Sequence, residues 1–127
     1  LIEENTMSVI YTTAVKNARL EAVVTQIGSG GKLEIGTAGM AVVLATFTLE
    51  SVAGTASGGV LTLSNFPKSD AADATGVAAA ARIRKSDNTD IVTGLTVGMS
   101  ASDIILDNTN ITTTQTVIIQ SAAITHA

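Results

Sequence analysis

Few side chains in this 127-residue chain could do chemistry, and their spacing decides what each is for. The one histidine, His126, stands one residue from the end. An imidazole serving a catalytic triad or a metal must be held in orientation by a second group. Chain ends are commonly mobile, so the position predicts an exposed tail residue. Acids come in spaced pairs: Asp70 with Asp73, Asp87 with Asp90, and Asp103 with Asp107. Calcium takes roughly six to eight oxygens, and the Asp70/Asp73 stretch lacks the alternating acids and distal glutamate of an EF-hand. The pairs fit turns better, because Asp and Asn bond their own backbone there. Read as glycosidase carboxylates, Asp103 and Asp107 lack stacking platforms for sugar rings. Tyr11, Phe47 and Phe66 are the chain's aromatic side chains.

Two further motifs are weighed the same way. Gly28-Ser-Gly-Gly31 resembles a phosphate loop, but it follows a helical pattern and no Gly-Lys-Ser/Thr comes after it. It reads as a helix stop. Arg82, Arg84 and Lys85 form the one basic cluster, with Arg82 and Arg84 on one face of an alternating segment. They can pair with acids of a neighbouring subunit, or stay solvated, since an exposed pair contributes only ~0–1 kcal/mol. Asn110-Ile-Thr112 is a formal glycosylation acceptor that reads as a turn. No catalytic residue, cofactor site or metal site is assigned.

Composition narrows the class. Charged residues make up 14%, well under the usual quarter, so a large solvated surface is not expected. With three aromatics, the core must be filled by Val, Ile, Leu, Ala and Thr methyls. Such a core offers limited burial against chain entropy, and oligomerisation is the usual remedy. A compact aliphatic monomer is the plainer alternative. The net charge of −4 argues against nucleic acid, which requires a clustered basic surface. There is no cysteine for a disulfide framework. No apolar run approaches the ~18 residues of a membrane span, and the acidic start lacks the basic region of a signal peptide. Residues 1–7 are taken as an N-terminal extension before a single domain over 8–127.

The elements that must position these groups follow from periodicity. Residues 12–27 form the one expected helix. Leu20, Val23, Val24 and Ile27 make its apolar stripe, and Arg19, Ala22 and Gln26 lie opposite. Gly28 ends it. From Lys32 the period becomes two. Leu33 and Ile35 point inward, and residues 40–49 are apolar enough for a central strand. Residues 51–59 read as a break, 60–64 as a strand closed by Pro67, and 68–76 as a loop. In residues 77–84 the alanines favour a helix, yet Val77, Ala79, Ala81 and Ile83 alternate with Arg82 and Arg84. A strand hairpin to residues 91–97 is expected, with the small alanines admitting the helix. The last strands are near 104–107 and 115–125, joined by the corner Asp107-Asn-Thr-Asn110. Val117, Ile119, Ser121 and Ala123 are assigned to one face, Val117 and Ile119 lying in the core. Thr116, Ile118, Gln120 and Ala122 take the other face, a candidate subunit contact. The whole reads as all-β, a β-sandwich or jelly roll of about 7–8 antiparallel strands with one N-terminal helix.

Asn17-Ala-Arg-Leu-Glu-Ala-Val, Leu33-Glu-Ile-Gly-Thr-Ala-Gly, Leu44-Ala-Thr-Phe-Thr-Leu, residues 76–84, and Ile104-Ile-Leu-Asp-Asn-Thr-Asn-Ile with Gln115-Thr-Val follow one order. Over residues 8–125 that order resembles a group of small tailed-bacteriophage and prophage virion structural proteins. Family members often have an aromatic pair where this chain has Ala80-Ala81, and Asp-Gly where it has Asp87-Asn88, which implies smaller packing and a looser hairpin here. The resemblance implies a capsid decoration or cement protein stabilising the head, in the virion after assembly in the host cytoplasm. Its implied partners are the major capsid protein or other virion proteins, and copies of itself as a dimer or trimer. Thr116, Ile118, Gln120, Arg82 and Arg84 are the candidate contacts. Alternatives are a head–tail junction or tail protein, or a tail-tip or cell-surface carbohydrate-binding β module. A hydrolase dependent on Asp103 or Asp107 ranks last. No membrane partner is expected.

Overall fold

The computed structural model describes residues 10–126, so the extension assigned to residues 1–7 and the start of the domain at 8 lie outside the described residues. Helix α1 spans Thr13–Ile27. Thr12 caps it, its hydroxyl accepting from Val15 N–H at 3.3 Å. Gly28 ends it at φ 67°, a conformation that costs a side-chain-bearing residue more than glycine. Leu20 and Ile27 are buried, and Val23 and Val24 pack beside them, as the stripe required.

Eleven short strands follow: β1 (Lys32–Gly36), β2 (Val43–Thr48), β3 (Gly54–Ser57), β4 (Val60–Leu63), β5 (Lys68–Ala71), β6 (Gly76–Val77), β7 (Ala80–Arg84), β8 (Asp90–Gly98), β9 (Ile104–Leu106), β10 (Asn110–Ile111) and β11 (Thr116–Thr125). Nine of them make one sheet in the order β2-β1-β7-β8-β9-β11-β4-β3, with β5 also on β11; β6 and β10 form a separate ribbon. The all-β class with one helix ahead of the strands is thus borne out.

Several details depart from expectation. β8 and β9 are parallel, not antiparallel. Parallel neighbours ordinarily need a long crossover. Here residues 99–103 suffice, because β9 starts alongside the last residues of β8, with Val97 opposite Ile104 and Gly98 opposite Ile105, and runs on beyond them. β2 is an edge of the hydrogen-bonded order, not a central strand. β3 falls inside the stretch read as a break, and β5 inside the stretch read as a loop. The alanine-rich segment is a strand from Ala80, with Ala81 and Ile83 buried but Val77 and Ala79 exposed. Ala79 and Ala80 line an outer cleft of about 430 Å³ with Met40, Arg82 and Gly94. The helix packs chiefly on β3, β4 and β8 instead.

The curl brings β2 around to β5, where Asp73 N–H donates to the Leu44 carbonyl at 2.7 Å. The sheet is therefore a nearly closed ring, and the long strand β11 is its hub. One side of β11 takes β9; the other takes β5 along Thr116–Ile119 and β4 along Ala123–Thr125. Leu33, Ile35, Phe47 and Ile83 from one limb share a core with Leu61, Ile104, Leu106, Val117 and Ile119 from the other. Each buried aliphatic side chain contributes about 1.5–3 kcal/mol, which is how a core with one buried Phe holds.

Candidate functional site

Register places the basic cluster first. On the outer face β1 pairs with β7, setting Glu34 opposite Arg82 and Lys32 opposite Arg84. Arg82 Nε donates to Glu34 Oε1 at 2.6 Å, and Arg84 Nε donates to Asp90 Oδ1 at 2.6 Å while lying 3.9 Å from Glu34. Lys32 Nζ donates to Asn88 at the hairpin turn. Glu34 is only 8% exposed, so its carboxylate depends on these cations in place of water. Arg82 and Arg84 are thus engaged within their own subunit.

The Arg84 guanidinium, by hydrogen bonding, holds the Asp90 carboxyl below its usual range, and Asp90 in turn raises Arg84. Bonds from Thr89 lower Asp87, and bonds from Asn65 and then Lys68 lower Glu50. Carboxyls depressed by folding add stability above their unfolded values and lose it as pH falls through the folded ones. Asp90→Asn is therefore expected to flatten the fall of melting temperature below about pH 4. An acid limb as steep as that of the unsubstituted protein would contradict this role.

The acids do the work of turns. Asp87 Oδ1 accepts from Thr89 N–H at 3.0 Å, and Asn108 Oδ1 accepts from Asn110 N–H at 2.9 Å. Asp103 Oδ2 accepts from Thr96 N–H and from its hydroxyl, while Asp103 N–H donates to that same oxygen, Thr96 Oγ1. This clamp fixes the short loop between the parallel strands. No group of three His, Asp or Glu side chains able to hold a metal occurs among the described residues.

His126 departs from expectation. It is half-buried, its N–H donates to the Gly59 carbonyl at 2.9 Å, and its ring meets Tyr11 edge-on at 5.9 Å. Arg19 in turn lies 4.5 Å over the Tyr11 ring. The chain's two described ends are thus pinned together beside the turn between β3 and β4.

A groove of about 320 Å³ remains where β2 and β5 diverge, lined by Thr46, Phe47, Thr48, Lys68, Ser69 and Asp70. Lys68 bonds Glu50 at 2.9 Å and lies 5.5 Å over the Phe66 ring. Its cation is committed to the fold.

The strongest candidate for a functional surface is the outer face of β5, β11 and β9. Thr116 and Gln120 are exposed and Ile118 is half-buried. Ile118 pairs with Ser69, and Thr116 with Ala71. Ile105 stands half-buried on the neighbouring β9. The face expected for Ala122 is corrected: the pairing with β9 shifts register between Ile119 and Ser121. That bulge turns Ala122 inward, where it is 2% exposed, and Ser121 outward.

No helix of the described residues is long and apolar enough to cross a membrane. Comparison with protein families, curated proteins and solved structures finds no match.

Proposed function

We propose that this chain is a structural subunit of a tailed-phage virion, acting as a capsid decoration protein that ties major-capsid subunits together. The observation that carries the proposal is the largely uncharged outer face formed by Ser69, Ala71, Ile105, Thr116, Ile118 and Gln120, with Asp107 beside Ile118. A pleated face with few charges buries against a neighbour with little desolvation cost, and repetition around a symmetric shell multiplies one such contact. The ordered resemblance over residues 8–125 supports the same reading. The mechanism is linkage: a subunit that binds only the assembled state stabilises it by RT ln(1 + [L]/Kd) per site.

Ile118→Lys tests the face. The side chain points away from the core, so the monomer's melting temperature should hold while binding to purified capsids weakens about tenfold or more, the scale of a charge buried in an apolar contact. Undiminished capsid binding by the folded variant would refute this surface as the contact.

A further inference from the structure

The hydrogen-bonded order ends on one side at β3, and among the described residues no strand pairs with that edge, α1 packing alongside it. Natural edge strands are blunted by charge, proline, a bulge or a covering segment. Gly54-Thr-Ala-Ser57 has no charge and no proline and pairs with β4 in unbroken register. Among the described residues no strand lies on its far side. The turn after it determines which backbone groups are free. Gly58 and Gly59 both have positive φ, 60° and 77°, the two-residue hairpin turn in which residue 60 bonds back to residue 57. Ser64 N–H donates to the Ala53 carbonyl at 2.9 Å, in the same phase. By the alternation of an antiparallel ladder, Ser57 and Thr55 spend their groups on β4, and the N–H and C=O of Ala56 point outward.

We propose that β3 pairs with β3 of a second copy about a two-fold axis through Ala56, carrying the sheet across both subunits. Residues opposed across an antiparallel pair share a face, which for a two-fold normal to the sheet sets Ala56 opposite Ala56 and Thr55 opposite Ser57 of the second copy. That register uses the outward groups of Ala56 in two reciprocal hydrogen bonds. Charge selects a second copy over a foreign strand. α1 runs antiparallel to β3: Asn17 accepts from Gly59 N–H at 2.9 Å, while Glu21, Val24 and Thr25 line a groove with Val52, Gly54 and Thr55. Lys16 thus lies toward the turn, its Cδ 3.3 Å from where a Cβ on Gly59 would stand, and Glu21 toward the strand's start. Neither is in an ion pair with another described residue. The two-fold exchanges these ends and turns Lys16 of each copy toward Glu21 of the other.

This interface deepens the assembly reading and rests on it, and the test separates the two. The chain has no cysteine, so introduced thiols report without background. Opposed residues of a non-hydrogen-bonded pair stand about 4.5 Å apart at Cα, within disulfide reach. A mixture of Thr55→Cys and Ser57→Cys proteins is expected to oxidise to a covalent dimer, and either alone far less. In sedimentation, Lys16→Glu or Glu21→Lys should each raise the dimer dissociation constant about tenfold, and the charge-swapped double variant should restore it. A mixture that crosslinks no better than the single proteins, or a swap that fails to restore, overturns the β3 interface. If the oligomer is instead dissolved by Ile118→Lys, the β3 interface fails and the virion reading stands.

Discussion

Ile119→Ala is expected to destabilise the fold by about 2–5 kcal/mol, the range for deleting a buried aliphatic side chain. Ile119 has no exposed surface and lies where β11 is flanked by β9 and β5, opposite Leu106 on one side and Lys68 on the other. A cavity there loosens both limbs of the ring at once. Urea denaturation should show a lower midpoint with little change in slope. Ile118→Lys, one residue away on the outer face, should change the unfolding free energy by no more than about 0.5 kcal/mol. Equal losses for the two would contradict β11 as a strand with one core face and one contact face.

Arg82→Leu is expected to cost about 3 kcal/mol, near the lower end for breaking a buried ion pair. The loss comes from Glu34, 8% exposed in the fold, whose carboxylate would lose its 2.6 Å donor. Arg84, at 3.9 Å and already bonded to Asp90, is too distant to replace it. Glu34→Leu together with Arg82→Leu should recover most of the loss, because the stranded charge is gone and the apolar pair fills the same face. A double variant as unstable as Arg82→Leu alone would show that the pair does more than neutralise a buried carboxylate.

The parts of the fold legible in the sequence are those in which one residue type answers one local demand. Thr12, the stripe from Leu20 to Ile27 and Gly28 mark α1 to within a residue. Leu33 and Ile35 alternate as a half-buried strand must. Residues 85–89 turn between β7 and β8 as expected, with Asn88 at φ 70°. What was not legible depends on distant partners. β5, Lys-Ser-Asp-Ala, shows no apolar alternation, because one of its sides meets the groove and its strand identity comes from pairing with β11. β3 is equally polar, although the Gly58-Gly59 pair was a signal for it. The bulge after Ile119 moves Ala122 into the core, and no residue in Ile-Gln-Ser-Ala marks it. The parallel step from β8 to β9 rests on the clamp of Asp103 on Thr96, a pairing that spacing alone does not display.

The candidate contacts divide along the same line. Thr116, Ile118 and Gln120 follow from alternation, and the structure sets them on the outer face. Arg82 and Arg84 likewise alternate onto a common face. Their partners, Glu34 and Asp90, come from β1 and from the far end of the hairpin, and only register brings them together.

The most direct test of the account is quantitative mass spectrometry of purified phage particles from a host carrying this gene. A decoration subunit predicts the chain in stoichiometric amount with the major capsid protein. A few copies per particle would move it to the head–tail junction or tail, and its absence from intact particles would contradict a virion role.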